Sequence, residues 1–226
     1  MRATAEPRAR VDLKEALREI HIMAGLDSAA PHDASPRTSL SIGITSATFG
    51  DGKTTIAIAL AASLSEDFAA DVMLVDADFH THSVAREYGL QGEEGMTEVL
   101  AGTAQLEAVT HRVARAKMTV ITAGAAPTDP ARMARSEHLT SLIENMKSAN
   151  EYVVIDLPAT LHSMNAPVLA KRCDGVIVVV RAGHTTKQDL DRVLHLLKDS
   201  NVLGIVVNRK SSSVPNWVRR TLNVKA

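Results

Sequence analysis

The sequence predicts an α/β fold, a mostly parallel sheet with helices on both faces. Three observations predict it. Several short segments are apolar at consecutive positions, as in residues 152–155 (YVVI) and 175–180 (GVIVVV). A strand buried on both faces needs no polar alternation, so such runs read as interior strands of a parallel sheet. Helical patterns separate the runs, which is the βαβ signature. Glycines and carboxylates gather just after the runs, at the strand ends where open α/β sheets place their sites.

Residues 1–38 read as an N-terminal helix and linker. Leu13, Leu17, Ile20 and Ala24 share one helical face, while Glu15, Arg18 and His21 line another, either a solvated surface or a contact face. Residues 27–37 (DSAAPHDASPR) carry two prolines and few apolar side chains, as a linker does. Residues 40–44 form the first strand. A glycine turn follows, and Gly52-Lys53-Thr54-Thr55 opens a run of helix formers over residues 56–64. Strand, glycine loop and helix are the setting of a P-loop, in which backbone N–H groups and a helix N-terminus cradle a polyphosphate. Gly50 and Gly52 permit the tight curl. Lys53 is placed to reach the β- and γ-phosphates and the Thr54 hydroxyl to meet Mg²⁺. Ala47 takes the first position of the G-x-x-x-x-G-K-[ST] pattern and remains small. The expectation is therefore a P-loop NTPase fold.

Residues 71–78 (DVMLVDAD) form the second strand, ending in Asp76 and Asp78, which point the same way if the backbone stays extended. They read as site carboxylates or as a turn and cap for the next segment. His80 and His82 could be metal ligands, but no third soft ligand lies nearby, and polar loop residues is the preferred reading. Residues 92–109 mix short helical fragments with glycines and read as covering structure. A third strand spans residues 118–122, and Pro127 and Pro130 punctuate the loop after it.

One helix is expected over residues 131–146, with Leu139, Leu142, Ile143 and Met146 on its buried face. A fourth strand, 152–155, ends in Asp156. A short helix near 166–172 precedes the fifth strand, 175–180. The following helix carries a Leu190, Val193, Leu194, Leu197 stripe, with Thr186 and Asp189 as an N-terminal cap pair. The last strand, 202–207, ends at Asn208, whose amide reads as a nucleobase contact or as a turn residue. Residues 39–209 are thus expected to form one domain. Residues 210–226 are a tail whose Trp217, Arg219 and Arg220 read as a docking or membrane-surface element or as a short packed helix.

Composition narrows the function classes. The chain has 226 residues, 45% hydrophobic and 23% charged, as expected of a soluble globular protein. A net charge of −1 gives no field to steer it to nucleic acid. Cys173 is the only cysteine, so a disulfide framework is excluded and a reducing, cytoplasmic setting expected. The opening residues lack a signal-peptide apolar core, and no apolar run of about 18 residues is present.

Three strand ends matter together: the P-loop, Asp76 with Asp78, and Asp156. Asp156 ends its apolar strand as a Walker B aspartate does. Phosphoryl transfer asks a protein mainly to hold charge around the γ-phosphate, so carboxylates converging beside a P-loop point to that chemistry.

The segments ITSATFGDGKTT, VMLVDADFHTHSVAREYGL, VITAGAAPTDPARMARSE, YVVIDLPA, CDGVIVVVRAGHTT and VLGIVVNR, in this order, resemble the cytoplasmic domain of bacterial tyrosine kinases. Those proteins act with polysaccharide co-polymerases that control capsule and exopolysaccharide synthesis and export. The resemblance implies that Lys53 and Thr54 bind the phosphates of ATP or ADP, and the nucleotide-binding set expected with them is Phe49, Gly50, Asp51, Gly52, Thr55 and Asn208. It implies that Lys53, Asp76 and Asp78 are catalytic, with Asp76 the base toward a tyrosine hydroxyl, and that Thr54, Asp78 and Asp156 hold Mg²⁺. It also implies a homo-oligomer joined through the N-terminal helix, where Glu15 and Arg18 match the family and His21 replaces an arginine. The implied partners are a membrane co-polymerase activator and a protein tyrosine substrate, with no nucleic acid. A partner would recruit the protein to the inner face of the cell membrane.

Phe49 stands where the family has proline, Asp51 where it has glutamate, and His80 and Thr81 where it has a basic pair. The chain holds two tyrosines, Tyr88 and Tyr152, and none follows Asn208; the acceptor is therefore expected on another protein. Two alternatives stand beside the kinase: a catalytically weak, ATP-dependent regulatory subunit of the same machinery, and a MinD/ParA-like positioning ATPase. Members of the latter carry a lysine where this chain has Thr48.

Overall fold

The computed structural model describes residues 39–114 and 116–208. The N-terminal segment with Glu15, Arg18 and His21, and the tail from residue 209, lie outside the described residues. Strand β1 (Leu40–Ser46) leads into helix α1 (Lys53–Asp67), and β2 (Val72–Asp76) into α2 (Ser83–Tyr88) and α3 (Met96–Ala101). A 3₁₀ turn (Leu106–Val109) precedes β3 (His111–Arg112) and β4 (Met118–Ile121). The remainder is α4 (Pro130–Arg135), α5 (Glu137–Ala149), β5 (Tyr152–Asp156), α6 (Ala166–Ala170), β6 (Gly175–Arg181), α7 (Lys187–Leu196) and β7 (Val202–Asn208).

The expected fold class is the one observed. Seven strands form one sheet in the order β3-β4-β2-β5-β1-β6-β7. Every pairing is parallel except β3 with β4. Consecutive apolar residues divide between two cores. Ile42, Ile44, Leu74, Val154 and Ile177 pack under α1 through Ile56, Leu60 and Leu64. On the other face, Val75, Val153, Ile155 and Val178 belong to a core with Leu139, Leu142 and Ile143 of α5 and Leu190 and Val193 of α7. Burying one such aliphatic side chain contributes about 1.5–3 kcal/mol, so the two-sided cores fix which strand end lies beside which. Tyr152 and Cys173 are buried structural residues, and burial followed by the Asp174 charge pushes the Cys173 thiol up to about 12.

Two expectations are corrected, and two further elements appear. The second strand stops at Asp76 rather than Asp78, because Asp76 Oδ1 accepts the Asp78 N–H at 3.0 Å and turns the chain. Two helices replace the one expected over 131–146: Ser136 sits at φ −66°, ψ 142°, and its hydroxyl accepts the Leu139 N–H at 3.2 Å to cap α5. Helix α2 was not expected in the polar stretch; His82, at φ 47°, turns the chain into it. The two-residue edge strand β3 is too short for any periodicity to betray. The Thr186–Asp189 cap pair forms as expected, a reciprocal box at 3.1 and 3.2 Å between the backbone N–H groups and the opposite side chains. Among the described residues no helix is long and apolar enough to cross a membrane.

Candidate functional site

The central position of β1 puts the glycine loop, residues 47–52, between the ends of β5 and β6. Gly50 and Gly52 take φ +81° and +100°, the left-handed region that glycine enters without strain. Space is also tight at Gly52: a Cβ there would lie 2.0 Å from Asn208 Nδ2, which would have to move. Helix α1 starts at Lys53, and Gly52, Lys53, Thr54 and Thr55 line the cleft in front of it, so its positive end faces that space.

Asp51 holds the loop from behind. Fully buried, it accepts the Thr48 N–H at 2.9 Å and the Thr185 hydroxyl at 3.1 Å, while Asn208 Nδ2 donates to its carbonyl at 2.8 Å. The loop is thus tied to the ends of β6 and β7. Asn208, expected at a nucleobase or in a turn, has an amide donor committed to this brace. Phe49 is 52% exposed on the lip of the loop, stacked on His162 at a 4.6 Å centroid distance.

Three buried carboxylates meet Lys53. Asp76 ends β2 and Asp156 ends β5, and the two are register partners in adjacent parallel strands. Asp78 lies one turn beyond. Lys53 Nζ stands 2.8 Å from Asp78 Oδ2 and 3.2 and 3.3 Å from the two Asp156 oxygens. The Thr54 hydroxyl donates to Asp156 Oδ2 at 2.6 Å. Asp78 further accepts from the Thr81 hydroxyl at 2.9 Å and the His80 N–H at 3.2 Å. Asp76 spends one oxygen on the Asp78 N–H; the other, Oδ2, is buried without a partner.

These surroundings set the charges. Burial, reinforced by the Asp156 charge, pushes the Asp76 carboxyl up to about 8. Burial pushes Asp156 up to about 6, against the pull of the Lys53 ammonium and the Thr54 hydroxyl. Burial raises Asp78 too, yet Lys53, Thr81 and the His80 N–H outweigh it and hold the carboxyl below its usual range. For Lys53 burial opposes the charge, and Asp156 and Asp78 overcome it, so the ammonium is held above its ordinary value. One cation fixed among carboxylates of unequal proton affinity can receive phosphate charge and a proton at neighbouring atoms.

In front of this cluster opens a cleft of about 610 Å³, whose lining includes Phe49, Gly52, Lys53, Thr54 and Arg86. The structure therefore brings together Phe49, Gly50, Gly52, Lys53, Thr54, Thr55 and the three aspartates, with Asp51 and Asn208 behind the loop. His80 contributes a backbone N–H and His82 a turn. Among the described residues no three His, Cys, Asp or Glu side chains are grouped to hold a metal unaided. Ser83, Arg86, His162 and Thr185 belong to the site or its supports and were not singled out from sequence, and Thr81 was noted only as a departure from the family. Thr81, three residues after Asp78, carried the one readable signal, a hydroxyl spaced to bond back to that carboxylate.

A family model described as an AAA domain matches residues 40–203. The tyrosine-protein kinase YwqD of Bacillus subtilis (strain 168) is 30% identical over 175 residues, covering 76% of this chain and 73% of that protein. The chain belongs to the bacterial tyrosine-kinase family. Among solved structures, the kinase domain of VpsO is similar at 25% identity and a TM-score of 0.77, over 92% of this chain and all of that one. The fold is shared more widely: the septum site-determining protein MinD of Pyrococcus horikoshii OT3, complexed with Mg-ADP, has a TM-score of 0.70 at 24% identity, over 83% of this chain and 79% of that one. This family membership and the shared P-loop fold agree with the strand-end cluster built around Lys53.

Proposed function

We propose that the chain binds Mg-ATP in the cleft above Lys53 and transfers the γ-phosphoryl group to a tyrosine of another protein. The observation that carries this is the ammonium of Lys53 held by Asp78 and Asp156 at the mouth of the glycine loop, with Asp76 in register beside Asp156. Family membership supports the acceptor class.

The residues present fit the metal. Mg²⁺ keeps most of its waters and takes one or two protein oxygens beside phosphate oxygens, so a hydroxyl set against a carboxylate suits it. Thr54 and Asp156, 2.6 Å apart, are the pair to hold it, with Asp78 close by through Lys53. Bound there, Mg²⁺ would supply positive charge against the phosphates. Gly50, Gly52 and the start of α1 bind the phosphates through backbone N–H groups, and Lys53 turns from its carboxylates toward the γ-phosphate. The acceptor phenol oxygen forms a bond to the γ-phosphorus as the bond to the β,γ-bridging oxygen breaks. Asp76 takes the phenol proton on Oδ2, the buried oxygen without a partner, and ADP leaves. A carboxyl raised to about 8 is a strong proton acceptor in its ionised fraction, which grows as pH rises toward 8.

The same value favours a second reading. A carboxyl that holds its own proton at pH 7 cannot take another, so an ATP-dependent regulatory subunit with little transfer activity is also served by this site. The wider setting we propose is a membrane polysaccharide co-polymerase that recruits and activates the chain at the inner membrane face, with self-association through Glu15 and Arg18. Incubating the full chain with γ-labelled ATP, Mg²⁺ and a tyrosine-bearing co-polymerase separates the readings. The kinase predicts label on tyrosine, lost in Lys53→Ala; nucleotide binding without label on any protein overturns it in favour of the regulatory role.

A further inference from the structure

One row of hydrogen bonds runs from the cleft wall to the centre of the cluster. Arg86 Nη2 donates to Ser83 Oγ at 2.9 Å, Ser83 Oγ to Thr81 Oγ1 at 3.2 Å, and Thr81 Oγ1 to Asp78 Oδ2 at 2.9 Å. Asp78 Oδ2 in turn lies 2.8 Å from Lys53 Nζ. Each hydroxyl accepts from one neighbour and donates to the next, so the row has one sense and ends on a charge at either side. Lys53, Thr54, Thr81, Ser83 and Arg86 all line the one cleft.

Charge explains why a second cation belongs there. Lys53 and Arg86 are the two cations among the cleft's lining residues, and Glu87 is the one anion. Lys53 is already matched by Asp78 and Asp156. A triphosphate with one divalent ion still brings negative charge, and the terminal phosphate carries most of what must be balanced during transfer. The backbone N–H groups of the loop serve the inner phosphates. Arg86 is exposed, so its guanidinium keeps donors for a ligand after the Ser83 bond, and the fork geometry of those donors suits a phosphate.

We propose that Arg86 is a terminal-phosphate-binding residue, oriented by Ser83 and Thr81, that makes the cleft distinguish ATP from ADP. The inference rests on the nucleotide-binding reading above and goes beyond it by assigning the second cation of the cleft. Ser83 and Thr81 are positioning residues that act on the phosphate through Arg86.

Calorimetric titration of the full chain with MgADP and with the magnesium complex of AMP-PNP tests it. Arg86→Ala is expected to weaken AMP-PNP binding about tenfold, the loss of one charged hydrogen bond, and to leave MgADP binding unchanged. Arg86→Lys should recover part of the loss, since it keeps the charge without the fork. Ser83→Ala should weaken AMP-PNP alone, by a smaller factor, and Ser83→Thr should restore it. Equal weakening of both nucleotides, or no change in either, overturns the assignment while leaving the nucleotide site intact. A wild-type chain that binds neither nucleotide overturns the site and this assignment together.

Discussion

Asp76 and Asp156 face each other across the β2–β5 pair as register partners, both without solvent exposure. Lys53 bonds directly to Asp156 and to Asp78 but not to Asp76. Side-by-side burial of two carboxylates with one nearby cation forces unequal protonation, and Asp76 is the one that keeps its proton longer.

That inequality makes stability depend on pH with a definite sign. Asp76 and Asp156 have folded values, about 8 and about 6, above the ordinary 3.8, so the folded state binds more protons. Their stabilisation is complete below pH 4 and is lost as pH rises, through about 6 for Asp156 and about 8 for Asp76. Asp78 is lowered from 3.8 and Lys53 raised from 10.5, so their windows lie below and above this range and offset nothing within it. The nucleotide-free protein is predicted to lose up to about 1.4 kcal/mol per pH unit between pH 6 and 8. Denaturant melts of Asp76→Asn should show that slope flattened; an unchanged slope contradicts the assignment to Asp76.

Lys53 has a structural role as well as a proposed chemical one. Lys53→Ala leaves Asp78 and Asp156 buried without their cation, which costs roughly 3–5 kcal/mol. The melting temperature of the nucleotide-free variant should fall at pH 7.5, and adding Asp78→Asn to Lys53→Ala should recover part of the loss. If Lys53→Ala melts like the wild type, the ion pairs contribute nothing to the fold.

Much of this was readable in the sequence, for physical reasons. Interior strands such as β5 and β6 carry no charged residue until their last position because both faces are covered, and a glycine loop with Lys53 and Thr54 needs only local chemistry to recognise. Ser136 was also readable in principle: a hydroxyl three residues before Leu139 is a cap pattern, hidden because amphipathic periodicity runs on past it. The Asp51–Thr185 bond and the Asn208 donor could not be read, since they join the loop to strand ends 134 and 157 residues away. Nor could the end of β2 at Asp76, which is set by a side chain bonding its own backbone and not by any loss of apolar character.

The brace behind the loop predicts a difference between two glycines. Gly50→Ala meets open space and only the left-handed backbone, a cost of about 1–2 kcal/mol. Gly52→Ala adds to the same strain a Cβ that collides with Asn208 Nδ2 and displaces the Asp51 brace. Gly52→Ala should therefore be less stable than Gly50→Ala in denaturant melts and should lose nucleotide affinity by a larger factor. Equal effects would show that Asn208 does not hold the loop.

The central claim is that Asp76 takes the acceptor's proton beside Lys53, and transfer measured against binding in Asp76→Asn tests it most directly. The variant should bind Mg-ATP as tightly as the wild type while its rate of label transfer to a tyrosine-bearing co-polymerase falls by at least ~10²-fold, the contribution of a positioned general base. Wild-type transfer by Asp76→Asn, with binding intact, would contradict it.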